Sequence, residues 1–227
     1  MTGCYDFPRA AHFGRVVPKS KIYDAARASN KVRQLFVDQV EQISWSFKLA
    51  PETINLAAAP GVAEIQVFDV RLKGTSIDHD VLHTIDKAIA FPILFELKKP
   101  GERKLIAAYK RPSEADAAKW VVSEYFEADW EPVDNPRKAL PRALNLGALY
   151  DRVLSELMPV AAHDGEKLPQ RVARIEAIRA KERDIARIKS RLSRENQFNK
   201  KVEINAELRE ATLELEQLGG QAAIKDA

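Results

Sequence analysis

A single cysteine, Cys4, stands in a chain of 227 residues. It excludes an internal disulfide framework and any zinc site built on paired cysteines. Glycine is also scarce, nine in all and widely scattered. Neither GxxxxGK[ST] nor GxGxxG occurs, so the phosphate-cradling loop of a P-loop ATPase or a Rossmann dehydrogenase is missing. Apolar runs are short: the FPILF of 91–95 falls far below the ~20 residues that cross a bilayer. The opening MTGCYDFPRAAHFGR has no apolar leader. These absences lead to the expectation of a cytoplasmic protein with no membrane partner. Only four histidines occur. His79 and His83 have the i, i+4 spacing of helix-borne metal ligands, but HExxH is absent, and Val81, Leu82 and Ile85 claim the inward face. No metal and no cofactor are expected from them.

What is present suits a globular protein: 45% hydrophobic residues can bury a core, and 30% charged residues give an ionic surface. The formal net charge of +3 is nearly balanced and is no nucleic-acid signature by itself. Its distribution says more. The stretch 167–194 is strongly basic, and 202–218 is acidic.

Residues 1–20, punctuated by Pro8, Gly14 and Pro18, read as a loosely held entry. Ile22, Ala25 and Ala26 suit a short helix. Val32, Leu35, Phe36, Val40 and Ile43 recur at three- and four-residue steps, which predicts a core helix capped by Ser29 or Asn30. The period then changes to alternation through Ile65, Val67, Val70 and Leu72, a strand. Helical spacing returns from Ile77 to Ile89, with Ser76 or Asp78 as cap. Strands follow over FPILFELKK, over KLIAAYKR across the Pro100–Gly101 turn, and from Trp120 through Phe126. The expected class is α+β: a mostly antiparallel sheet of about four strands with helices packed to one side, in a domain over 12–160. Its last helix runs from Leu146 to Leu157 with Asn145 as cap.

Beyond a hinge at AAHDGEKLP lie two narrow apolar seams, Val172 to Leu192 and Ile204 to Leu218. They predict a coiled-coil-like antiparallel helical hairpin over 166–219. RENQFNKKVEIN, residues 194–205, would hold the reversal, because Asn196 and Asn199 tolerate turn conformations and Phe198 could plug the tip. One unbroken helix is the alternative.

Three stretches could carry chemistry. Glu96-Leu97-Lys98, at the end of an apolar strand, matches the (D/E)xK half of a restriction-nuclease type of site, with Asp69 on the preceding strand as the first carboxylate. In such a site two carboxylates hold Mg²⁺ and the lysine helps activate water. The tripeptide alone says little in a chain with 33 acidic residues; its place on a strand gives it weight. SWSFKLAPETINL sets Trp45 and Phe47 beside Lys48, which suits either base stacking or core packing. Arg183, Arg187, Arg191, Arg194, Lys200 and Lys201 could follow a phosphate backbone, or could pair with the glutamates of 203–216.

VPKSKIYDAA, ISWSFKLAPETINL, AEIQVFDVRLK, VLHTIDKAI, FPILFEL, AAYKR, EADW and ENQFNKKVEINAEL occur in this order. Together they resemble the domain-of-unknown-function 4391 family of prokaryotes across nearly the whole chain. The resemblance implies a cytosolic accessory to a DNA-acting assembly, since genes of this family sit beside DNA methyltransferases and helicases in restriction or phage-defence clusters. It supplies no catalytic residues. The expectation is therefore a non-catalytic interaction module that docks on a methyltransferase or helicase or forms a homo-oligomer. The alternatives are a Mg²⁺-dependent nuclease using Asp69, Glu96 and Lys98, or nucleic-acid binding by the basic helix.

Overall fold

The spacing that predicts a helix through Ile43 belongs, from Val40 onward, to a strand. The computed structural model describes residues 3–113, 115 and 120–219, which divide into two compact units, Met1–Pro159 and Val160–Ala227. The strands of the first unit are β1 Tyr5–Asp6, β2 His12–Val16, β3 Val40–Leu49, β4 Ile65–Leu72, β5 Ile93–Lys99, β6 Glu102–Pro112, β7 Trp120–Glu127, β8 Glu131–Pro132 and β9 Lys138–Ala139. Its helices are α1 Lys19–Ala25, α2 Asn30–Gln39, α3 Pro51–Ile54, α4 His79–Ala88 and α5 Leu146–Leu157.

Buried positions on β3 fall at Val40, Ile43, Ser46 and Leu49, every third residue. The strand achieves this through register shifts against β4 between Val40 and Gln42 and between Trp45 and Phe47. Each bulge adds a residue and turns the next side chain to the other face, so a bulged strand imitates helical spacing. The helix ends at Gln39, and Ser29 caps its start by accepting from the Val32 amide at 3.4 Å.

The main sheet has seven strands in the order β2-β3-β4-β5-β6-β7, with β8 added on β6. It is larger than the four strands expected, and mixed: β4 and β5 run parallel at its middle, and α4 is the crossover between them. Parallel neighbours need such a crossover, because a tight turn joins only antiparallel strands. The N-terminal residues are part of the fold as well. β2 pairs with β3, β1 pairs with β9 in a separate parallel ribbon, and Cys4, Tyr5 and Ala11 are buried.

Helices cover both faces. On one, Ile22 of α1, Phe36 of α2 and Val81, Leu82 and Ile85 of α4 pack with Phe68, Val70, Phe95, Leu97, Ile106 and Ala108 of the sheet. α5 packs on β6 and β7 outside that cluster, with Asn145 as its cap, accepting from the Ala148 amide at 2.9 Å. A polar network crosses the core. Lys110 Nζ donates to the Asp86 carbonyl at 2.6 Å and to that of Ile89, and lies 3.4 Å from the Asp86 carboxylate. Tyr125 donates to the same carboxylate at 2.5 Å. Burial pushes Asp86 up to about 6 despite these partners.

In the second unit, α6 Leu168–Arg194 and α7 Phe198–Gly219 run antiparallel. Ile185 and Ile188 pack on Ala211, with Ile204, Leu208 and Leu215 around them. Lys181 pairs with Glu214 and Arg191 with Glu207 across the two helices, so basic and acidic segments meet. The reversal spans residues 195–197, where the Glu195 carboxylate accepts from the amides of Asn196 and Gln197, both at 2.8 Å. Asn199 already lies in α7, and Phe198 is 78% exposed. The tip is closed by a carboxylate that caps free amides, not by an apolar plug.

Candidate functional site

Asp69 and Glu96 are register partners on the parallel pair β4–β5. Side chains alternate along a strand. Phe68 and Val70, like Phe95 and Leu97, point into the core beneath α4, so Asp69, Glu96 and Lys98 share the opposite face. Asp69 and Glu96 stand near the middle of their strands, and Lys98 one residue before the end of β5. Lys98 Nζ donates to Asp69 Oδ2 at 2.6 Å and lies 3.3 Å from Glu96 Oε1. The cleft they line holds about 210 Å³ and is walled by Tyr5, Phe7, His12, Ser46 and Phe47.

A fourth residue completes the cluster. Arg137 donates from Nη1 and Nη2 to the two oxygens of Glu96, at 2.8 and 2.6 Å, and from Nη1 to the Tyr5 carbonyl at 2.9 Å. Burial would raise Glu96, whose side chain is 2% exposed, but the Arg137 hydrogen bonds and the Lys98 charge outweigh it. The carboxyl is held below its usual range and stays ionised at neutral pH. Arg137 escapes a reading by pattern because it sits in EPVDNPRKALPRALN, a proline-rich connection without periodicity. The usable signal is indirect: a carboxylate in an apolar strand demands a partner.

Asp69 and Glu96 offer oxygen donors of the kind a magnesium ion takes, and such ions need only one or two carboxylates, with water and phosphate oxygens filling the rest. Among the described residues no group of three or more His, Cys, Asp or Glu comes together to hold a metal. The cleft thus offers two carboxylates, and both already have cationic partners: Lys98 on Asp69 and Glu96, and Arg137 on Glu96.

Of the other candidate residues, Phe47 alone among those described lines this cleft. His79 is exposed, its ring 5.1 Å from that of Tyr125, and His83 is half-buried on α4. Trp45 stacks on Phe68 with centroids 6.1 Å apart, Phe47 meets Phe7 at 4.9 Å, and Lys48 bridges Glu52 and Glu64. This is packing within the fold. In the hairpin, Arg187 pairs with Asp184 and Arg191 with Glu207. Arg183, Arg194, Lys200 and Lys201 are exposed on its surface.

No helix among the described residues is long and apolar enough to cross a membrane. No curated protein and no solved structure matches the chain. One family model does, over residues 5–215, from the first strand to the last turns of α7. The chain belongs to the family described as domain of unknown function DUF4391.

Proposed function

We propose that the protein is a Mg²⁺-dependent nuclease of the (D/E)xK type, acting in the cytoplasm within a DNA restriction or phage-defence assembly. What supports this reading is the convergence of Asp69, Glu96 and Lys98 in one cleft, with Lys98 Nζ within 3.3 Å of both carboxylates. The magnesium ion, held by Asp69 and Glu96, would supply Lewis-acid polarisation of a phosphodiester oxygen. Lys98 would orient the attacking water and offset charge growing on the phosphoryl oxygens. Phe7 and Phe47 give the cleft an apolar wall that limits competing water. The test is cleavage of labelled single- and double-stranded DNA by the full chain. Activity that needs Mg²⁺ and disappears in Lys98→Ala supports the reading, and no cleavage under any of these conditions overturns it.

A second reading is a non-catalytic accessory that docks on a methyltransferase or helicase, or on its own copy, through the hairpin. It is favoured by Phe198, Val202 and Leu213, large apolar side chains exposed on α7. Light scattering and co-purification with those two enzymes test it; a strictly monomeric chain that captures neither removes it.

A further inference from the structure

The Glu96–Arg137 pair contains a tension. Glu96 is one of two carboxylates the catalytic reading requires, yet both its oxygens are taken by a guanidinium. That guanidinium is delivered with care. Arg103, itself buried, holds the connection that carries Arg137: Nη1 donates to the Val133 carbonyl at 3.0 Å, Nη2 to the Asn135 carbonyl at 2.6 Å, and Nε to the Glu131 carboxylate at 2.9 Å. On the other side, Lys138–Ala139 pairs with Tyr5–Asp6. The backbone is therefore anchored on both flanks, while the Arg137 side chain is 30% exposed and lines the cleft.

A guanidinium fork fits a carboxylate and a phosphodiester equally well, through two parallel N–H···O bonds. We propose that Arg137 is the phosphate-binding residue of this site, and that its bond to Glu96 is the resting state which a nucleic-acid phosphodiester breaks. The incoming phosphate takes the fork, and Glu96 is freed as a metal ligand only when substrate is present. The exchange replaces one bidentate charged pair by another, so no charge need stay unpaired once the freed carboxylate has a cation. The inference rests on the catalytic reading, and it makes Arg137 work against metal binding in the absence of DNA.

The experiment measures Mn²⁺ binding by calorimetry, and binding of a fluorescein-labelled DNA duplex in Ca²⁺ by anisotropy, for the full-length wild type, Arg137→Ala and Arg137→Lys. Arg137→Ala is expected to bind Mn²⁺ about 10-fold tighter, because its competitor is gone, and DNA about 10-fold more weakly. Arg137→Lys falls between on both readouts, since a point charge cannot fork. A merely structural arginine would leave Mn²⁺ affinity unchanged or lower it. Equal Mn²⁺ binding by wild type and variants, or unchanged DNA affinity in Arg137→Ala, overturns the clamp alone. No Mn²⁺ binding by any of the three overturns the catalytic reading and the clamp with it. Should thermal melting show that Arg137→Ala does not fold, Arg137→Lys decides on the same two readouts.

Discussion

Asp69 and Glu96 stand opposite each other on adjacent parallel strands, and Lys98 Nζ reaches both. Two carboxylates this close repel unless a cation lies between them. Lys98→Met removes that cation while keeping an apolar stem, so the pair loses one of its two neutralising partners. The Glu96 carboxyl should then titrate higher than in the wild type, because the Lys98 charge is one of the influences holding it down. Carboxylate chemical shifts followed by NMR across the acid range check this. An unchanged Glu96 titration would assign its low value to Arg137 alone.

Stability should respond to pH through two carboxyls of opposite sign. Glu96 is depressed in the folded state, so its contribution is present above the unfolded value of ~4.3 and is lost as pH falls through the folded one. Asp86 is raised from 3.8 to about 6, chiefly by burial. The folded chain keeps a proton that the unfolded chain releases, so this stabilisation is full below the ordinary value and is lost as pH rises toward about 6. Asp86→Asn should remove that decline between those two pH values. Urea unfolding at a series of pH values, wild type beside variant, measures the difference.

Lys110 illustrates the cost of breaking a buried polar network. Its ammonium serves the carbonyls of Asp86 and Ile89 and faces the Asp86 carboxylate, and its side chain is fully buried. Lys110→Met leaves those acceptors without their donor and the carboxylate without its cation, a loss of about 3 kcal/mol. Tyr125→Phe removes only one hydroxyl from the same carboxylate and should cost about 1–2 kcal/mol. Denaturant unfolding checks both; a Tyr125 effect as large as that of Lys110 would contradict the assignment.

Much of the first unit is legible in its periodicity. The strand over 65–72, the helix before β5, the hairpin β5–β6 and α5 with its Asn145 cap all follow from spacing and turn residues. What escapes does so for physical reasons. β3 hides behind its bulges, and β1 and β9, two residues each, are too short to show any period. The parallel pairing of β4 and β5 depends on the crossover that α4 makes between them, which neither strand's own pattern shows. Asp69, Glu96 and Lys98 can be found from strand position and residue type. Arg137 cannot, because a loop residue is brought to a site by tertiary anchoring, here by Arg103 and the β1–β9 ribbon.

In the hairpin, the Arg191–Glu207 pair is exposed, so its removal should matter little. Arg191→Glu is expected to cost no more than about 1 kcal/mol, and the double exchange with Glu207→Arg should recover most of it. Thermal unfolding of the four chains of this double-mutant cycle measures the coupling. If Arg191 instead serves a phosphate backbone, Arg191→Glu should flatten the salt dependence of DNA binding by about one unit of slope, and the double exchange should not restore it.

The central claim is that the cleft holding Asp69, Glu96 and Lys98 hydrolyses phosphodiesters. The most direct measurement is the rate of DNA cleavage against Mg²⁺ concentration for wild type, Glu96→Gln and Lys98→Ala, with thermal melting to confirm that each chain is folded. The account predicts saturable, Mg²⁺-dependent cleavage by the wild type and a fall of about 100-fold or more in each variant. Cleavage unaffected by either substitution, or none by the folded wild type at any Mg²⁺ concentration, would contradict it and leave the cluster as an ion-pair brace between β4, β5 and the 131–139 connection.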